Sequence, residues 1–419
     1  VSATQTQSPQ TQQSFASASP DAQELESPLA HLSPEQLEQL GRELDAIHDE
    51  VYADLGERDS RYIRSTIRLH RQLVLAARAL LVGARYRPLW LAGTASLSLA
   101  KILENMEIGH NVMHGQWDWM NDPDINSQTW DWDTASPADA WRHSHNYEHH
   151  TFTNIRGKDR DLGYEIMRID PHQPWHPVYL LQPFYNLLLM GFFEWGVAVH
   201  DLNRRAIHSG EKSKEQVLQE LKAIGVKARS QVIKDYVAFP ALAALVALVA
   251  ARGARGEHDE TKQASTRLKS SGRAFKSTLA ANFTANIVRN VWAYSIIFCG
   301  HFPDQTYTFS MEEVENETRG GWYVRQLLGS ANIDGGPLFH LLAGNLSFQV
   351  EHHLYPDMPS SRYAEIAPRV RDICRRYGLP YNTGPLHKQL GTVHRTILRL
   401  AFPGGKVRPK PGPYRPQSL

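Results

Sequence analysis

Three stretches of this chain concentrate histidine at spacings that suit metal binding. GHNVMHG places His110 and His114 four residues apart, HSHNYEHHT holds His143, His145, His149 and His150, and GNLSFQVEHHLYP carries Gln349 just ahead of the adjacent pair His352 and His353. On a helix, residues four apart share a face and neighbours point about 100° apart, so an adjacent pair can serve two different ions. A single HxxxH is more often a surface pair than a site. Three such clusters in one chain make little sense singly; together they describe one metal site assembled from distant segments. Few carboxylates accompany them, which argues against calcium and magnesium, ions that take oxygen ligands. Imidazole suits zinc, copper, iron and nickel. A structural zinc needs only four ligands, so a larger nitrogen set in three clusters points to two ions. A redox pair of irons activating dioxygen against an unactivated C–H bond fits that donor set.

Composition narrows the class. The 419 residues suffice for one large domain or two to three small ones, and a net charge of +1 leaves no electrostatic footprint for nucleic acid. Two cysteines, Cys299 and Cys374, exclude a disulfide framework and a cysteine-ligated zinc or iron–sulfur site. Mean hydropathy is negative, so any membrane part is a minority of the mass. The first thirty residues lack the apolar core of a signal peptide. Residues 1–32, rich in Ser, Gln, Ala and Pro, read as a disordered tail; 33–400 read as the functional domain and 401–419 as a disordered basic tail.

The elements that must position the histidines follow in order. Ser33-Pro34-Glu35-Gln36 is a helix start, with Ser33 as cap, Pro34 at the first helical position and Gln36 closing a capping box. Residues 58–71 are basic and amphipathic, as for a helix at a membrane surface or packed on a core. Runs 73–84 and 89–100 are apolar except for Arg78, shorter than a bilayer span, and suit a hairpin leading through Lys101 and Glu104 to the first cluster. Four tryptophans, Trp117, Trp119, Trp130 and Trp132, suit an interface with one wet and one apolar side. Run 178–199 has the length of a transmembrane helix, and an intramembrane Glu194 should face protein or a cavity. Residues 201–235 are charged and helix-compatible, 236–251 apolar, 252–271 a mobile loop, and 279–299 semi-apolar up to Gly300 and His301. To keep all clusters on one side, an even number of crossings must separate the second from the third; 178–199 and 236–251 supply it if 279–299 does not cross, at odds with the basic excess of the segment between them, and the alternative is that 178–199 re-enters without crossing. Histidines beside apolar runs point to a lipid substrate. His172, His176, His200, His208, His340 and His387 read as ordinary histidines.

The boxes HNVMH, HNYEHH and QVEHH, in this order and spacing, resemble those of the membrane fatty-acid desaturase family. GHNVMHGQWDWMNDP, TNIRGKDRDLGY, RNVWAYSIIFCGHFPD and NLSFQVEHHLYPDMPSSRY are most similar to the actinobacterial acyl-CoA members. The resemblance covers about residues 33–390. It implies an all-α fold of about four integral membrane helices with a helical cytoplasmic cap that holds two non-haem irons. It implies His110, His114, His145, His149, His150, His352 and His353 as ligands, and His301 fits the family's additional histidine. Gln349 stands where some members have histidine; Asp159 and Asp161 are candidates to orient ligands, since a ligating His donates its other N–H to an acceptor. His143 is a further candidate to brace the site. The expected activity is O2-dependent desaturation of a long-chain acyl group on coenzyme A, at a multi-pass inner (plasma) membrane site facing the cytoplasm. The alternatives are a diiron lipid hydroxylase and a non-enzymatic metal-handling membrane protein. FPGGK at 402–406 lacks the histidine of a haem-binding HPGG, so electrons are expected from a separate ferredoxin-type or NADPH-dependent donor. The basic helix from Tyr363, with Arg362, Arg369, Arg371, Arg375 and Arg376, is the expected docking face.

Overall fold

The computed structural model describes residues 31–251, 260–408 and 410. Most of the tail expected at 1–32, the first part (252–259) of the loop expected at 252–271 and much of 401–419 lie outside them. The described chain is almost wholly helical, with one two-stranded parallel pairing of Asn332–Asp334 with Thr383–Pro385.

Two bodies of helices stack end to end. The bundle is built from Glu57–Val82, Arg87–Ile102, Lys214–Ala250 and the 42-residue helix Glu260–His301. Cross-bonds give the alignment: Ser96 Oγ donates to the Leu73 carbonyl, Trp90 Nε1 to Ser277 and Ser271 Oγ to Ala244. The turn 83–86 and the ends at Ala250 and Glu260 therefore share the end away from the histidines. Polar groups inside are matched rather than absent. Asp235, fully buried, accepts from Lys101 at 2.8 Å and Arg78 at 3.2 Å, and Arg78 also donates to Asn282. These partners explain how Arg78 and Lys101 sit in an otherwise apolar hairpin: a buried charge persists only where it is paired.

The cap packs the N-terminal helix Pro34–Ala53 through Leu40 and Leu44 onto Arg319–Gly329 and Tyr363–Arg376. Ser33 makes the capping box expected of it: its side chain accepts from Gln36 N and Gln36 Oε1 accepts from Ser33 N.

Three expectations change. Run 178–199 does not form one spanning helix. It breaks into Gln182–Gly191 and Phe193–His200 at Phe192, whose φ of −121° and ψ of 36° are non-helical. Asn290 closes the break, donating to the Gly191 carbonyl and facing the Glu194 N–H. Residues 260–271 are helix rather than loop, continuous with 279–299. The charged 214–235 runs without interruption into the apolar 236–250. Only Lys214–Ala250 is, among the described residues, both long and apolar enough to cross a membrane by composition.

Candidate metal centre

The first two histidine clusters sit on helices that loosen into π-helical turns. Arg87–Ile102 continues as the π segment Leu103–His110, and Ala138–Trp141 as the π segment Arg142–His149. Single π turns inside α-helices widen the spiral and recur at functional sites. The third cluster lies on the short helix Gln349–Leu354, behind a turn that needs Gly344: its φ is +68°, and a Cβ there would lie 2.4 Å from the Met106 carbonyl oxygen. That contact brings the third box against the first.

The eight expected ligands converge. His110, His114, His145 and His352 form one group, and His149, His301 and His353 another; within each, one ring nitrogen per residue lies within 4.8 Å of the others. His150 stands between them, its ring centroid 4.7 Å from His114, 4.9 Å from His352 and 4.6 Å from His353. The adjacent pairs divide between the groups, as neighbours on a helix must: His149 faces one, and His352 and His353 face different ones.

Outward-facing nitrogens are held by acceptors. His149 Nδ1 lies 3.0 Å from Asp159, and His145 Nδ1 lies 3.3 Å from Asp161. His353 Nδ1 meets Gln326 Oε1 at 3.1 Å and His352 Nδ1 meets the Tyr363 hydroxyl at 3.2 Å. Gln349 differs: its amide Nε2, a donor, lies 3.2 Å from His301 Nε2, which accepts. Trp141 stacks on His145 with centroids 4.5 Å apart. The inward nitrogens have no such partners: Nε2 of His114, His145, His149 and His353, Nδ1 of His301 and both nitrogens of His150 are buried without a hydrogen bond. Each unsatisfied buried polar atom costs about 1–3 kcal/mol, so a convergent set of them is the pattern of lone pairs aimed at cations. Two groups of nitrogen donors fit two metal ions of the kind imidazole prefers.

Electrostatics agree. Burial, reinforced by neighbouring imidazoles, holds His114, His150 and His353 well below the ordinary histidine range, and His352 likewise. Burial also lowers His145, against the opposing pull of Asp161. These rings are neutral, as ligands must be. Burial acts on His149 too, but Asp159 and Asp161 outweigh it and raise this ring.

His143 is not brought in: its side chain is 68% exposed and faces Glu148. His200, read as ordinary, instead bonds Asp161 at 2.9 Å and so braces His145 indirectly. Tyr363 and Gln326 were also missed. The docking arginines are largely engaged already: Arg362 is buried against Asp59, Arg369 meets Glu50, Arg375 meets Asp372, and Arg376 meets Glu43 and Asp372. The N-terminal helix thus cancels much of the positive charge expected there. Glu194, as expected, is satisfied: it pairs with Arg289 and accepts from Gln231.

Below His110 and His145 a cavity of ≈ 60 Å³ opens, walled by Met106, Phe193, Val197, Ala293 and Ile297 among others.

Comparison with known proteins gives a consistent picture. A family model described as "Fatty acid desaturase" matches residues 88–385. The chain is 46% identical over 379 residues, 90% of this chain and 83% of the relative, to an NADPH-dependent stearoyl-CoA 9-desaturase of Mycobacterium tuberculosis. It is 24% identical over 310 residues, 72% of this chain and 77% of the relative, to an sn-1 linoleoyl-lipid 6-desaturase of Synechocystis. Human fatty acid desaturase 3 is 29% identical over 113 residues, 27% of this chain and 24% of the relative. No solved structure matches.

Proposed function

The chain belongs to the fatty acid desaturase family and is a fatty acyl desaturase of lipid metabolism, and from that premise we propose that it introduces a double bond at position 9 of a stearoyl group carried on coenzyme A. The observation that carries this reading is the double set of buried imidazole nitrogens without hydrogen-bond partners beside a cavity walled in part by Met106, Phe193, Val197, Ala293 and Ile297 and in part by polar groups such as Glu194 and Asn290. His110, His114, His145 and His352 would hold one iron, His149, His301 and His353 the other, with His150 between them. When bound, the two irons would supply the O2 activation that removes two hydrogens from adjacent methylenes, and these hydrogens together with two electrons and two protons delivered through the donor would carry both oxygen atoms off as two waters.

The chain's own residues supply the rest. Asp159, Asp161, Gln326 and Tyr363 fix ring orientation. Trp141 and the apolar cavity walls exclude water and lay the methylenes beside the site. The relative's name and the lack of a flavin, nicotinamide or haem motif support a separate donor fed by NADPH. The four-helix bundle supports a multi-pass protein of the plasma membrane whose cap, carrying the site, faces the cytoplasm. Family membership sets aside the metal-handling alternative.

The test is expression in a host of known fatty-acid composition, with double-bond location by mass spectrometry of derivatised methyl esters. A new 9-monoene, lost in His149→Ala, is expected; a hydroxylated product would overturn desaturation in favour of the hydroxylase.

A further inference from the structure

Two cavities meet at one side chain. The inner one, ≈ 60 Å³, reaches the rings of His110 and His145. The outer one, ≈ 360 Å³, opens between Ile67, His70 and Arg71 of the helix Glu57–Val82 and the segment holding Asp131 and Asp133. Among the described residues Trp132 alone lines both.

We propose that Trp132 is a gate: the alkyl chain of a long-chain acyl thioester passes it from the outer pocket into the inner cavity, while the amide-bearing pantetheine arm stays outside. The inference rests on the desaturase reading.

The anchoring of Trp132 is that of a gate. Its backbone is fixed. Lys227 donates to its carbonyl at 2.6 Å and to Asp131 at 2.7 Å, and Glu104 accepts from the Asp133 N–H at 2.8 Å. Lys234 pairs with Asp133. Gly109 provides the seat, since a Cβ there would come within 3.2 Å of the Trp132 Cβ. The indole is buried among Met113, Ala138 and Trp141, and its Nε1 donates to the Ser136 carbonyl at 2.8 Å. With the backbone pinned, joining the two cavities takes a turn of this ring about its own side-chain bonds while the segment stays in place.

The chemistry of the two sides differs in the way such a ligand needs. The inner wall is apolar where Met106, Phe193, Val197, Ala293 and Ile297 line it, suited to methylenes. The outer pocket presents His70 and Arg71 to a polar chain. Its carboxylates Asp131 and Asp133 are already engaged by Lys227 and Lys234, so they do not make it an anionic trap. It also sits where the helix Glu57–Val82 passes from cap to bundle, the place an amphiphile partitions to. The pantetheine arm is shared by coenzyme A and acyl carrier protein, so the test separates the two.

The experiment uses the iron-loaded full chain in lipid nanodiscs and follows stopped-flow association of non-reactive stearyl thioethers of coenzyme A and of pantetheine. Trp132→Ala should associate about tenfold faster, because the closed ring no longer holds back the competent state. Trp132→Phe should stay near the parent rate, and His70→Trp, which narrows the outer pocket from the opposite wall, should slow association. Should the alanine variant lose iron, the His70→Trp rate decides alone. Parent-like rates in both Trp132→Ala and His70→Trp would place the chain's route elsewhere and overturn the gate, as would failure of the parent protein to bind either thioether. Equal rates for both thioethers support the gate with the arm as the recognised group. Association only with the coenzyme A form, weakened by Arg71→Ala, supports it with the nucleotide end adding to recognition. A parent protein that binds normally but forms no alkene from stearoyl-CoA would overturn the desaturase reading while leaving the gate standing.

Discussion

At the scale of single residues, the centre depends on groups that never touch a metal. Asp159 holds His149, and Asp161 holds both His145 and His200. Replacing such an acceptor typically costs 10–100-fold in metal affinity. Asp159→Asn should therefore lower iron content at limiting iron, measured by elemental analysis, while His143→Ala, altering an exposed ring, should leave it unchanged. Equal loss in both would mean that the acceptor does not orient the ligand. The neutral rings also set a pH dependence. In the folded, metal-free protein burial lowers His114, His145, His150, His352 and His353, whereas unfolded histidines titrate near ~6.5. Between the lowered values and ~6.5 the unfolded chain binds more protons, so stability is complete above that range and falls as pH drops into it. Among these rings His149, raised, opposes this, as do His48, raised by its bond to Asp357, and the buried carboxyls of Glu104 and Glu107, which burial raises. The melting temperature of metal-free protein should thus fall steadily from pH 7.5 to 5.5; a flat or rising profile would show the rings are not neutral in the fold. The convergence of the histidines was legible because histidine spacing is itself the signal. His200, Tyr363 and Gln326 were not, because each comes from a segment whose spacing to the boxes carries no period.

At the scale of elements, the sequence misled where one polar residue far along the chain decides a helix. Run 178–199 has a spanning helix's length, and nothing within it announces the break at Phe192. The break is stable because Asn290, a hundred residues later, supplies a donor to Gly191. One turn of the same helix holds Arg289 against Glu194, both almost wholly buried. Removing one partner of a buried pair leaves an uncompensated charge and costs about 3–5 kcal/mol, whereas replacing both with apolar residues can be neutral. Arg289→Met should accordingly lower thermal stability sharply, and Glu194→Leu with Arg289→Met should restore much of it. A double variant as unstable as the single one would mean that packing, not charge, is what the pair supplies. The basic helix from Tyr363 shows the same limit. Its arginines are visible in the sequence, but the pairing of Arg369 with Glu50 and of Arg376 with Glu43 of the helix Pro34–Ala53 comes from a segment whose docking site no pattern reveals.

At the scale of the whole molecule, topology follows from which ends of the helices meet. An even number of crossings between the second and third clusters comes either from 178–199 with 236–251 or, if 178–199 re-enters, without it; the break at Phe192 agrees with re-entry. On the proposed multi-pass reading the crossing pair would be Lys214–Ala250 and Glu260–His301, which would leave the basic segment 204–234 on the cap side, where positive charge favours the cytoplasmic face. The hairpin Glu57–Val82 and Arg87–Ile102 would add two more passages. Of the four bundle helices, among the described residues Lys214–Ala250 alone is long and apolar enough to cross a membrane by composition; the charges that lower the others, Arg78, Lys101 and Arg289, are paired with buried carboxylates rather than exposed to lipid. The arrangement predicts that Arg85 and Lys158, at opposite ends, lie on opposite sides of the membrane. In intact cells a membrane-impermeant maleimide should label Arg85→Cys without permeabilisation and Lys158→Cys only after it. Background should be low, because Cys299 and Cys374 are buried. Labelling of both positions from the same side would mean that the bundle does not cross, and the protein would then have to lie on the bilayer through its exposed apolar helices instead.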